Sequence, residues 1–227
     1  MKKIKLFILI SVLALSACEL DNYDKPTAGL SGRFIDMETN ELVQQDIIRG
    51  TVVELREHGY EQVAPQNLAV KNDGSYQNSL LFANTYTVEP KRGNFIAVPA
   101  QDVKLSGQTV LDFKVTPYIR IREASITKVG SKVIASFKLQ QNLINNVKKI
   151  GLYAHSNPSV GEPMRQAASE LELNAVADPN QTFTIEMDLP SNINALKPGN
   201  QYYFRIGALI DSPEAKFNYV QAVRLTI

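Results

Sequence analysis

Leu196-Lys197-Pro198-Gly199-Asn200-Gln201-Tyr202-Tyr203-Phe204-Arg205-Ile206-Gly207-Ala208 decides how the chain folds. Pro198-Gly199 is a turn pair, because Pro presets φ and Gly accepts a positive one. Beyond it Phe204, Ile206 and Ala208 fall on one side of an extended segment, the period-2 pattern of a strand over a core. Tyr202 stands six residues after Leu196, at the start of that strand. This spacing matches a tyrosine corner, in which the hydroxyl bonds back to nearby backbone at the edge of a Greek-key sandwich. The stretch predicts an antiparallel β-sandwich in the C-terminal half.

Working outward, residues 118–127, 132–140 and 148–155 read as strands. In the second of these, Val133, Ala135, Phe137 and Leu139 alternate inward. Residues 156–180 read as irregular, with room for one or two helical turns over 164–171. Phe183, Ile185, Met187 and Leu189 share a face of a further strand, and residues 217–227 supply the last, ending paired into a sheet. Thr116-Pro117 marks a boundary, since a proline after a strand limits continued pairing.

Before it, residues 30–34, 51–56, 67–71, 85–89 and 110–115 read as short strands. Asn72-Asp73-Gly74 is a hairpin turn signal, and no amphipathic helix stands out. The expected fold class is all-β, with two consecutive β-sandwich domains, 27–117 and 118–227.

Composition narrows function by exclusion. The 227 residues hold 24 basic and 23 acidic side chains, one cysteine and no tryptophan. A balance this close to neutral gives no basic face for nucleic acid, so no nucleic-acid partner is expected. A lone cysteine cannot form a disulfide within the chain. Stability must come from burying the 44% hydrophobic content,.

That cysteine closes a recognisable segment. Lys2, Lys3 and Lys5 precede an apolar run at residues 6–15, too short to span a bilayer, and Leu15-Ser16-Ala17-Cys18 follows,. Residues 1–17 are read as a lipoprotein signal peptide and Cys18 as the diacylated mature N-terminus. Residues 18–26 form an acidic tether. The expectation is lipid anchorage in the outer membrane; the acids after Cys18 resemble the export signal of Bacteroidota lipoproteins, which implies exposure at the cell surface, with the periplasmic face as the alternative.

Three resemblances follow from these residues. Gly32, Asp36 and Thr39, then Thr51-Val52-Val53-Glu54-Leu55, Asp73-Gly74-x-Tyr76 and Asn84-Thr85-Tyr86-x-Val88 resemble the transthyretin-like fold of carboxypeptidase regulatory domains. Asn84 departs from that pattern, where glycine is usual. The stretch 196–208 resembles the sixth strand of fibronectin type III domains, with Leu152 or Tyr153 placed to fill the space of their missing core tryptophan. Cys18, Asp21-Asn22-Tyr23-Asp24, Pro65-Gln66, residues 70–74 and 115–121 together resemble a family of two-β-domain lipoproteins from gut Bacteroidota. That resemblance implies genes beside starch-utilisation-type transporter pairs and supplies no activity.

Candidate sites are few. Glu57-His58 with Glu61 is an incomplete metal set, because a site needs three or four convergent ligands. His155 before Asn157-Pro158 reads as a loop residue, and no serine sits in a nucleophile turn. Asn72-Asp73-Gly74 lacks the further acids of a calcium loop. Tyr60, Phe95 and Tyr153 are rings that could stack on sugar, but packing at sandwich ends is the better account of them and they are not assigned as sites. No catalytic, cofactor or metal residue is assigned. The expected function is a non-catalytic outer-membrane lipoprotein that assists glycan or nutrient capture, in contact with the membrane, a glycan or an outer-membrane transporter complex. The alternative is a structural or adhesive lipoprotein that docks another protein.

Overall fold

The computed structural model describes residues 24–227; Cys18, the signal and most of the acidic tether lie outside the described residues. In the first half, β1 (Ala28–Asp36), β2 (Val52–Glu57), β3 (Gln66–Ala69), β4 (Ser75–Leu81), β5 (Asn84–Lys91), β6 (Gln101–Leu105), β7 (Gln108–Val110) and β8 (Phe113–Val115) form two facing sheets. One has the order β4-β1-β7, with β8 also on β1; the other runs β3-β2-β5-β6. Their inner faces enclose a ring cluster in which Phe34 lies 5.0 Å from Phe95 and 5.3 Å from Phe113.

The second half comprises β9 (Ile119–Val129), β10 (Lys132–Gln141), β11 (Val147–His155), β12 (Ala167–Ala175), β13 (Phe183–Asp188), β14 (Gln201–Ile210), β15 (Asn218–Tyr219) and β16 (Val223–Thr226). Its sheets are β13-β10-β9 and β12-β11-β14-β15, with β16 also on β14. Phe204, Ile206 and Ala208 are wholly buried in its core. Tyr202 completes the tyrosine corner by accepting the Lys197 N–H on its hydroxyl at 2.8 Å. Leu152 sits in this core, whereas Tyr153 lies on the opposite face of the sheet.

Four local expectations are corrected. Residues 164–171 hold no helical turn: from Ala167 on they enter β12, whose backbone pairs antiparallel with the edge of β11,. The single strand expected over 110–115 is broken. At the break the Leu111 carbonyl accepts the Tyr76 hydroxyl at 2.5 Å, and Gly32 lies so close that a Cβ there would meet that carbonyl oxygen at 1.8 Å. Both pieces, β7 and β8, pair parallel to β1. The last strand is also interrupted, because the Val220 carbonyl turns to accept the Arg205 Nε–H at 2.8 Å. Strands β4 and β6 fall where no strand was expected; they bury only Tyr76, Leu81 and Leu105, so they carry little hydrophobic period.

Register places the two ends of the first sandwich. The β1–β4 and β2–β5 pairings put Asp36, the 37–51 loop, Asn72 and Asn94 at one end. This end meets the second sandwich. The other end holds Ala28, the 58–65 loop and residues 82–83.

Candidate functional site

The junction between sandwiches begins with a sheet buried on both sides. Along β11 and β14 nearly every central residue is buried, because the face turned from the core carries Tyr153, Val160 and Tyr219 as a second apolar cluster. Gly207 stands there without a side chain, since a Cβ would come within 2.7 Å of the Tyr219 ring. Arg205 shares this face. It donates to the carbonyls of Val220, Val160 and Asn72 at 2.8, 3.1 and 3.2 Å, and its guanidinium lies 4.4 Å from the centre of the Tyr219 ring. Burial pulls it down to about 10, which leaves it charged at neutral pH,.

Two asparagines and an ion pair complete the contact. Asn94 donates to the carbonyls of Gln44 and Phe217, and Asn218 donates to the Asn94 carbonyl. Arg120 forks onto Asp36 at 2.6 and 2.8 Å with both partners buried. Burial by itself would raise the Asp36 carboxyl; the bonds and charge of Arg120 outweigh it and hold the carboxyl below its ordinary value. The Arg120 guanidinium is raised, chiefly by its hydrogen bond to Asp36.

Beside this fixed junction runs a cleft. Its larger part, about 730 Å³, is lined by Arg49, Glu54, Arg56, Asn67, Lys91 and Arg92 from the first sandwich and by Glu214 and Lys216 from the second. A smaller hollow of about 340 Å³ continues it past Arg49 and Lys216 to Lys149, Glu162, Glu172 and Phe217. Arg49–Glu162 and Arg92–Glu214, each at 3.3 Å, cross from one sandwich to the other. Arg49 and Arg92 are each about two-thirds exposed, so their pairs are weak and can exchange for a ligand,. Cavities of this size at domain junctions are where small ligands bind. The lining can donate and accept many hydrogen bonds, as a hydroxyl-rich or anionic ligand requires. Among the described residues, no group of three or more His, Cys, Asp or Glu side chains is placed to hold a metal ion.

The candidates read from sequence lie elsewhere. His58 Nε2 is 2.8 Å from Thr87 Oγ1 and 3.5 Å from Asp102, while Glu61 is exposed. The His155 Nδ1 accepts the Asn157 N–H at 2.9 Å within its own loop. Asn72-Asp73-Gly74 is a hairpin turn: Asp73 accepts both the N–H and the hydroxyl of Ser75, and Gly74 has φ +80°. Phe95 and Tyr153 are packed inside; Tyr60 alone of the three rings is open, at 66% exposure. The cleft residues were missed because they come from seven separate stretches of sequence with no shared spacing. One signal was available: Arg205 interrupts an otherwise apolar strand, which marks a second buried face.

With this geometry in view, relatives identify the chain. Residues 28–116 match the N-terminal domain of a protein family of unknown function, DUF3823, and residues 119–224 match the DUF3823 C-terminal domain, also of unknown function. A candidate carbohydrate-binding protein of Bacteroides uniformis is 32% identical, with TM-score 0.82 over 89% of this chain and 100% of its own. A DUF3823 family protein of Parabacteroides merdae is 22% identical, with TM-score 0.76 over 89% and 100%. One from Bacteroides ovatus is 25% identical, with TM-score 0.70 over 88% and 99%. No curated protein matches. Matched along both of its sandwiches and over the full length of these relatives, the chain belongs to the DUF3823 family.

Proposed function

We propose that this protein is a non-catalytic glycan-binding lipoprotein that captures saccharide in the junction cleft and works beside an outer-membrane transporter pair. The observation that carries the reading is the cleft itself, about 730 Å³ of space between two firmly joined sandwiches, lined by guanidinium, ammonium and carboxylate groups. A rigid junction favours binding, because the ligand does not have to order the two domains against each other. The 32% identical candidate carbohydrate-binding protein of Bacteroides uniformis supports the same class of ligand. Lipid anchorage through Cys18, at the cell surface, supplies the location in this reading.

Calorimetric titration of the purified protein with neutral and acidic oligosaccharides tests it. Arg49→Ala and Arg56→Ala are each expected to weaken binding about tenfold, or about 1.4 kcal/mol, without unfolding the protein. Indifference to a broad panel, or binding that both variants leave unchanged, would remove the cleft from the function.

A further inference from the structure

We propose that the end of the first sandwich opposite the junction is a bilayer-contact face, with Tyr60, Leu80 and Phe82 seated in the lipid headgroup region. These three are exposed by 66%, 72% and 48%. They share one end of the domain. The Glu57↔Tyr86 pairing brings the start of the 58–65 loop beside β5, and Asn84 fastens it by donating to the His58 carbonyl at 3.0 Å. The Tyr86 hydroxyl donates to the Phe82 carbonyl at 3.1 Å, and Ala28↔Leu81 places the start of β1 next to Leu80.

The occupant follows from where the chain enters. About ten residues separate Cys18 from Ala28, a contour of at most about 35 Å. A lipid on Cys18 therefore keeps this end near the bilayer. The proposal rests on that anchorage. Aromatic rings with a polar tip, such as Tyr60, favour the headgroup layer, and apolar side chains beside an anchor add to its hold. Leu80, the most exposed of the three, is aliphatic and gives a sugar neither a stacking face nor a hydrogen bond. Lipid is thus the better fit, and this orientation turns the junction cleft away from the surface.

The chain contains no tryptophan, so a single introduced indole reports alone. Tyr60→Trp and Phe82→Trp would be made in the full-length protein, processed in a lipoprotein-exporting host and reconstituted on phosphatidylethanolamine–phosphatidylglycerol vesicles. Val129→Trp, in the hairpin at the remote end of the second sandwich, is the control. The expected result is a blue shift and quenching by brominated lipid for the first two and neither for the third. Reporters that stay aqueous on vesicle-bound protein overturn the face while leaving the anchor standing. Equal shifts in all three, or a shift with soluble oligosaccharide and no vesicles, overturn it as well, the latter in favour of a sugar platform. If wild-type protein fails to float with vesicles, or Cys18→Ala floats equally well, the anchorage fails and this proposal falls with it.

Discussion

Arg205 is the residue on which the junction turns. Its guanidinium is buried, and it is satisfied by carbonyls from both sandwiches, Val160 and Val220 on one side and Asn72 on the other. Replacing it with methionine keeps much of the volume but strands those carbonyls, and an unpaired buried acceptor costs roughly 1–3 kcal/mol. Arg205→Met is therefore expected to lower stability by about 3 kcal/mol, measured as the midpoint of urea unfolding. Nothing in the immediate sequence names its partners, because Asn72 and Val160 are remote in the chain. What could be read was the anomaly of a charge inside an apolar strand. Phe204, Ile206 and Ala208 were legible from alternation, since burial on the core side follows directly from the period of a strand. Gly207 was not, because only the ring of Tyr219 lying over it explains the missing side chain.

At the scale of the element, legibility followed burial. Strands β5, β10 and β13 bury alternate side chains, and β14 is buried on both faces along its centre, so all four announce themselves. Strands β4, β6 and β12 bury only one or two side chains each, so hydrogen bonding to a neighbour defines them and no hydrophobic pattern does,. The tyrosine corner shows what a specific motif adds beyond pattern. Tyr202 is nearly buried, and its hydroxyl accepts the Lys197 N–H and so closes the turn that feeds β14. Tyr202→Phe keeps the packing and removes that bond, for an expected loss of about 1 kcal/mol. The break between β7 and β8 is a parallel case: Tyr76→Phe frees the Leu111 carbonyl and is expected to cost a similar amount,. Thermal unfolding of the two variants measures both, and an unchanged midpoint would mean that neither hydroxyl matters to the turn it touches.

For the whole molecule the question is what keeps two sandwiches acting as one body, and the buried Asp36–Arg120 pair gives that a pH dependence. An unfolded aspartate titrates near 3.9, about the reference value. In the fold, burial would raise the carboxyl, but Arg120 and the backbone N–H groups around Glu38 and Thr39 more than offset it and hold it lower. A depressed folded value stabilises fully above the unfolded one and loses that contribution as pH falls through the folded value. The unfolding midpoint is therefore expected to change little between pH 7 and 5 through this pair, then to decline below about pH 4. Asp36→Asn leaves Arg120 without its bidentate partner in a buried place, for an expected loss of about 3 kcal/mol at pH 7. The variant should also decline less steeply in acid, since the group whose protonation drives part of the wild-type loss is gone. Parallel slopes for the two proteins would assign the acid sensitivity to other carboxylates, such as Glu170, whose carboxyl burial would raise but which the hydrogen bonds and charge of Lys149 and the hydroxyl of Tyr153 hold low. Saccharide affinity followed over the same range joins this to function. If the cleft needs the junction closed, affinity and stability fall together in wild type and separate in Asp36→Asn, where binding is already weak at neutral pH.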